Sequence, residues 1–290
     1  MMFLLNLLAR LSLPVLHGIG FILGWLIYWI PGRHSRRMRD NVFDSGLCVP
    51  GRDCRRLLRQ SISESGKAVV ELLPMWLRPY ESVLKLVKGS SGWEQIDDAR
   101  AAGKGVILIG PHIGCFEMIG RHFAARHPLT VMFKPSRQPA LDALMLLGRQ
   151  RGLATMVPTD LSGVRALLAA LKRFEGIAIL PDHVASEGDG VWASFLGRPA
   201  YTTTLVASLQ RKTGAAAFFV AAERLSWGRG YHLHVYPMDD TLPADKTAAA
   251  LRINQGVEDV IRLFPSQYMW NYNRHKRPGG VALPIEVPAL

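Results

Sequence analysis

Gly105-Val106-Ile107-Leu108-Ile109-Gly110-Pro111-His112-Ile113-Gly114-Cys115-Phe116-Glu117 is the stretch that decides the fold. Consecutive apolar residues bounded by glycines read as a strand buried on both faces, the kind that parallel sheets contain. Residues 118–126 follow with helical periodicity, so the stretch is a strand, a turn and the start of a helix. The pattern repeats downstream: a strand at 130–133, a helix at 140–151, a short strand at 154–157, a strongly amphipathic helix at 161–174 and a buried strand at 177–180. Such alternation predicts βαβ units, and hence one α/β domain with a largely parallel central sheet flanked by helices. Residues 215–221 and 231–236 add two strands, joined as a hairpin across Gly228-Arg229-Gly230, and 245–264 read as a helix.

Upstream of this domain the texture differs. Residues 11–30 contain no Asp, Glu, Lys or Arg, and Arg10 is the one such charge among the first thirty residues. An apolar run of that length is enough to cross a hydrocarbon core of ~30 Å. Trp25, Tyr28 and Trp29 stand at its end, where aromatic rings favour the membrane interface, and Arg33, Arg36, Arg37 and Arg39 follow Pro31-Gly32. A membrane anchor is therefore expected over 1–32, with the basic flank and the rest of the chain on the cytoplasmic side. A cleaved signal would need the reverse charge order and a small-residue cleavage site. Pro14, Gly18, Gly20 and Gly24 weaken a spanning helix and leave a second reading, a helix lying in the interface or packed on the protein. Residues 33–90 read as a helical, membrane-proximal segment whose helix at 52–76 alternates basic and apolar residues and stops at Pro74 and Pro79. The α/β domain then occupies 91–290.

The whole chain has 290 residues, is 49% hydrophobic and carries a formal net charge of +12. Its mean hydropathy of +0.11 is too low for a polytopic membrane protein. The positive charge points to an anionic partner, among which nucleic acid, anionic lipid and an acidic carrier protein all qualify. No RNA-binding aromatic signature and no paired-cysteine zinc spacing is present, which argues against nucleic acid. The basic residues follow an apolar segment, which favours lipid headgroups. Cys48, Cys54 and Cys115 are odd in number and lack a CxxC spacing, consistent with a reducing compartment. The nine histidines never fall in HxxxH or HExxH spacing, so no metal site is expected.

Three segments are candidates for chemistry. In the first, His112 and Glu117 are five residues apart, and nine histidines with 23 acidic residues in 290 produce roughly one such spacing by chance. His234 and Asp239 are indeed a second instance, but His234 lies in an alternating strand, where a residue five along points to the opposite face. His112 instead sits on a turn between strand and helix, where α/β sheets present ligands. There its ring is expected to fold back onto Glu117, giving a general base whose tautomer a carboxylate fixes. In the second segment, residues 133–142, Lys134 and Arg137 place two cations on a strand–helix connection, suited to a phosphate or a developing oxyanion. The third, Leu180-Pro181-Asp182-His183, ends another strand on the same sheet edge as His112. A glycine-containing loop and the apolar residues 191–201 follow, either lining a groove or simply packed. Cys115 is read as a small core residue rather than a nucleophile.

These segments resemble, in order and spacing, the late lauroyl and myristoyl acyltransferases of lipid A biosynthesis, within the lysophospholipid acyltransferase superfamily. The resemblance covers most of the chain: Gly92-Trp93-Glu94 leading into residues 103–108, then 112–117, 134–142, 180–183, Phe195-Leu196-Gly197 with Ala200 and Thr202, and Gln267-Tyr268-Met269-Trp270. It implies transfer of a fatty acyl group from acyl carrier protein to a hydroxyl of an anionic lipid A precursor at the cytoplasmic face of the bacterial inner membrane. It further implies no cofactor, direct transfer without an acyl-enzyme, His112 and Glu117 as catalytic residues, and Lys134, Arg137, Asp182 and His183 on the substrates. Lys134 stands where the family commonly has Arg, keeping the charge but losing the bidentate fork. After Trp270, Tyr272 and Arg274-His275-Lys276 replace the family's usual His and Arg-Phe-Lys run. These departures leave room for O- or N-acylation of another membrane lipid or glycolipid. A membrane-bound acyl-thioesterase is the alternative from a different enzyme class.

Overall fold

The computed structural model describes residues 2–135, 138–238 and 241–284, with side chains from residue 5 onward. Four helices, α1 (Met2–Arg10), α2 (Leu13–Trp29), α3 (Arg33–Phe43) and α4 (Arg52–Leu77), precede the short α5 (Tyr80–Leu84). Then come β1 (Val87–Ser91), α6 (Trp93–Ala101), β2 (Val106–Ile109), α7 (Glu117–Ala124), β3 (Leu129–Phe133), α8 (Pro139–Arg149), β4 (Ala154–Pro158), α9 (Leu161–Lys172) and β5 (Gly176–Ile179). A hairpin of β6 (Gly190–Phe195) and β7 (Arg198–Thr203) leads through α10 (Leu205–Thr213) to β8 (Ala216–Arg224), β9 (Tyr231–Pro237) and α11 (Lys246–Leu263).

The seven-stranded sheet has the order β1-β9-β8-β2-β5-β3-β4. β8, β2, β5, β3 and β4 run parallel, while β9 is antiparallel to β8 and carries β1 parallel to itself at the edge. β2 lies between β8 and β5 with every residue fully buried. Its side chains alternate between two helical layers: Ile107 and Ile109 pack with Leu167, Val206 and Ile253, whereas Val106 and Leu108 pack with Trp93, Met118 and Phe123. The doubly buried run read from the sequence thus belongs to a strand covered on both faces.

The expected membrane anchor is folded onto the domain. α2 is 17 residues long, about 25 Å, and among the described residues no single helix is long and apolar enough to cross a membrane. It meets α3 at a bend of 99°. One face of α2 lies on α4, where Gly20 and Gly24 meet Gly66 so closely that a Cβ on Gly66 would overlap their backbone. His17 pairs within the same contact with the buried Glu71, Nε2 to Oε1 at 2.7 Å. Two of the glycines that weaken a free-standing span, Gly20 and Gly24, are therefore the docking stripe of a packed helix, whereas Gly18 lies on its open side. The opposite face presents Val15, Ile19, Phe21, Ile22, Leu26 and Trp29 to the outside, with Ile22 60% and Trp29 67% exposed.

Three further differences from the sequence reading have local causes. β1 begins at Val87, so the sheet reaches back across the boundary expected at residue 90. It is a short, polar edge strand without the apolar alternation that would mark it. Residues 190–203 form the β6–β7 hairpin rather than a loop. Its turn puts both Leu196 (φ 48°) and Gly197 (φ 72°) in the left-handed region, a geometry for which Leu is an unusual first residue. Finally, Cys48 and Cys54 are joined by a disulfide closing the connection from α3 to α4, so the cysteine count no longer argues for a reducing compartment.

Candidate active site

The parallel pairing of β2 with β5 sets Ile109 opposite Ile179. His112 and Asp182, each three residues further along, therefore leave the sheet side by side. The turn carrying His112 is held by its neighbours. Cys115 N–H donates to the Ala222 carbonyl at 3.0 Å, Gly114 N–H to the Gln267 carbonyl at 3.0 Å, and Met269 N–H to the His112 carbonyl at 3.1 Å. Gly114 has φ +55°, and any Cβ there would overlap the Ala222 oxygen, so glycine is required for this close approach.

Asp182 is 2% exposed and grips His112 twice. Its Oδ1 lies 2.9 Å from His112 Nδ1, and its Oδ2 accepts the His112 backbone N–H at 2.9 Å. Burial alone would raise the carboxyl's pKa, but the charge of His112 and the hydrogen bonds from its ring and backbone outweigh that and hold it at about 2. A carboxylate only accepts, so Nδ1 carries the hydrogen of the neutral ring and Nε2 keeps its lone pair. The Tyr268 hydroxyl completes the surroundings of Asp182; burial, and then the Asp182 charge, push that phenol well above its usual range. Asp182, expected on the substrate, is thus behind the histidine.

Glu117 does not take that place. It is the first residue of α7, and its carboxylate receives the Arg149 guanidinium from α8, with Nε at 2.8 Å from Oε1 and Nη2 on the same oxygen. The expected His112–Glu117 contact is replaced by two pairs, His112–Asp182 and Glu117–Arg149. Physically, Asp182 satisfies both the ring and the backbone of His112 at once, and Arg149 gives Glu117 a charge-assisted partner of its own.

His183 stacks on His112 with ring centroids 4.1 Å apart and planes 8° apart, and Tyr272 stacks on His183 at 4.0 Å and 19°. Desolvation, followed by electrostatic coupling to the His112 ring, lowers the His183 pKa to about 4, so that imidazole is neutral near pH 7. Cys115 is buried, and burial first, then the nearby Glu71 charge, raises its thiol well above the usual range, which leaves no thiolate to act as nucleophile. His234 is engaged elsewhere, with Glu223 at 3.0 Å. Its sequence partner Asp239, like the candidate Arg137, lies outside the described residues.

His112, Glu117, Lys134, Arg149 and Arg151 open onto one cavity of 1130 Å3, whose walls include Leu129, Val131, Met132, Met156, Val164 and Leu180. It exceeds the ~300–1,000 Å3 of ordinary small-molecule sites. Of the residues singled out in the sequence, His112, Glu117, Lys134 and His183 line this cavity with Tyr272, and Asp182 meets it only through His112. Arg149 was not singled out, and Tyr268 only as part of the Gln267–Trp270 segment, since a basic residue at a helix end and a tyrosine near a tryptophan carry no local sign of these contacts.

The pattern of the bacterial lipid A biosynthesis acyltransferase family matches residues 1–277. The lipid A biosynthesis lauroyltransferase of Escherichia coli (strain K12) is 30% identical over 282 residues, covering 95% of this chain and 90% of that protein. The palmitoleoyltransferase of the same organism is 27% identical over 277 residues, 94% of this chain and 89% of the relative. Its myristoyltransferase is 23% identical over 277 residues, 92% and 82% respectively. With His112, paired to the buried Asp182, lining a large cavity and a family match that runs through all of the elements carrying it, the chain belongs to the bacterial lipid A biosynthesis acyltransferase family and is an acyltransferase.

Proposed function

We propose that this chain moves a fatty acyl group from the thioester of acyl carrier protein directly onto a hydroxyl of a lipid A precursor, with His112 as the general base. The observation that carries this reading is the pairing of His112 Nδ1 with the buried Asp182, which leaves Nε2 free to act. In the step itself, Nε2 takes the acceptor's hydroxyl proton as the oxygen attacks the thioester carbonyl carbon. Asp182 steadies the imidazolium that forms. The tetrahedral intermediate then expels the carrier thiolate, breaking the carbon–sulfur bond, and the proton on Nε2 passes to sulfur. Lys134, with Arg137 beside it in sequence, supplies positive charge for the acceptor's phosphate or the developing oxyanion. Glu117 serves the reaction by holding Arg149 at the same cavity. The apolar walls suit an acyl chain, as the lauroyl, palmitoleoyl and myristoyl names of the relatives suggest.

The exposed apolar face of α2 and the exposed arginines that follow it support a seat on the inner membrane, with the α/β domain on the cytoplasmic side. In this reading residues 1–32 rest in the interface rather than cross the bilayer. The test is incubation of purified protein with acyl carrier donors of defined length and lipid A precursors, followed by product mass. An O-acylated lipid is expected, and its formation should fall at least ~100-fold in His112→Ala. Release of free fatty acid with no need for an acceptor would indicate a thioesterase instead, and full activity of His112→Ala would sink the mechanism.

A further inference from the structure

The ring of His112 is held from a direction that the reaction itself does not require. His183 covers it face to face, and Tyr272 covers His183. Tyr272 is fixed at both ends: its hydroxyl accepts the Val184 N–H at 3.1 Å, and its backbone oxygen accepts Asn41 Nδ2 at 2.9 Å. The same amide donates to the Trp270 carbonyl at 2.7 Å. Asn41 belongs to α3, outside the sheet, and is not among the residues that line the large cavity. A side chain outside the cavity lining therefore holds the backbone that carries the outermost ring of a three-ring pile ending on His112.

We propose that His183 and Tyr272 form a positioning stack that fixes the plane of the His112 ring, and that Asn41 pins this stack through the 270–272 backbone. The inference rests on His112 being the general base. The two bonds to Asp182 fix the Nδ1 edge and the backbone of His112, and Phe116 meets the ring edge-on at 4.8 Å, which leaves its flat face as the side still to be held. A flat partner 4.1 Å away covers that face and holds the ring against tilting. The partner must also stay uncharged, because two imidazolium rings face to face repel, and His183 meets that condition near pH 7. Misplacing a general base by about 1 Å costs on the order of 100-fold in rate, so loss of the stack should appear in turnover. Asn41 lies outside the cavity that His183 and Tyr272 line, so loss of its contact in particular should leave substrate binding largely unchanged.

Steady-state acyl transfer by the full-length protein tests this with acyl carrier protein as donor and a lipid A precursor as acceptor. His183→Ala and Tyr272→Ala are each expected to lower kcat about 10-fold or more, a larger effect than on KM even though both side chains also line the cavity. His183→Phe and Tyr272→Phe, which restore a flat ring, should recover most of that loss. Asn41→Ala should lower kcat several-fold at unchanged KM. If Tyr272→Ala does not fold, His183→Ala carries the test, because its edge reaches solvent and its removal leaves the Tyr272 anchors in place. Wild-type kcat in both Ala variants, or Phe variants as impaired as the Ala variants, would overturn the stack. His112→Ala measured alongside separates the two ideas. Its retention of activity would remove the general-base reading itself, whereas its inactivity beside fully active His183→Ala would refute the stack alone.

Discussion

Two acidic residues compete on paper for the histidine, and their surroundings decide between them. Asp182 is buried, holds the His112 ring and backbone together, and has its charge fixed by them. Glu117 is equally engaged, but with Arg149. The two residues of that second pair should act as a unit on the cavity wall. Glu117→Ala and Arg149→Ala are each expected to lower kcat/KM by about 10-fold or more, and the double variant to fall little further, a coupling of at least ~1 kcal/mol. Independent, multiplying effects in that cycle would show that Glu117 acts through some other group. The histidine was legible in the sequence because a fully apolar run ended at its turn. Asp182 was legible as a neighbour on the same edge but not as the partner. Their meeting depends on the register of β2 against β5, a contact seventy residues apart in sequence that no local pattern encodes.

At the scale of elements, buried strands and amphipathic helices announced themselves through periodicity, and β2, β3, β4, β5, β8 and β9 stand close to where the sequence placed them. The elements that escaped are those whose stability comes from tertiary partners. β1 gains its place by pairing with β9, and the β6–β7 hairpin by packing on α11, where Asn254 Nδ2 donates to the Ser194 carbonyl at 2.7 Å. α2 shows the same effect in reverse: its composition reads as a span, and its glycines become meaningful only against α4. Adding a methyl group at Gly66 should wedge the helices apart, so Gly66→Ala is expected to cost about 1–3 kcal/mol and lower Tm by several degrees. Gly18, on the open side of α2, has nothing within reach of a Cβ, and Gly18→Ala should leave Tm unchanged or slightly higher. Equal melting behaviour of the two variants would argue against the packed helix.

Over the whole molecule, charge and apolar surface fall on one region of the chain. The outer face of α2 is apolar. Arg33, Arg36, Arg37 and Arg39 on α3 and Arg52, Arg55, Arg56 and Arg59 on the first half of α4 are all exposed. An apolar helix face flanked by arginines suits shallow insertion beside anionic headgroups, with about 1 kcal/mol from each basic residue near the surface. Co-sedimentation with vesicles containing anionic lipid should therefore weaken as salt rises. It should also fall at least ~10-fold in the Ile22→Asp, Trp29→Asp double variant, whose changes lie on exposed positions and leave the core intact. Undiminished binding by that variant would place the membrane contact elsewhere. Net charge and the apolar N-terminus suggest a membrane from composition alone, and the packing of α2 on α4 is what separates the proposed interfacial seat from a spanning helix.

Turnover of the Asp182→Asn protein is the most direct test of whether Asp182 backs His112 as the proposed general base. Asparagine keeps the size of the side chain but removes the charge that steadies the imidazolium and the oxygen pair that sets its tautomer. With the fold intact by thermal melting and KM little changed, kcat is expected to drop by about 10²–10⁴-fold. A folded Asp182→Asn protein that transfers acyl groups at the wild-type rate would contradict the pairing as the basis of catalysis.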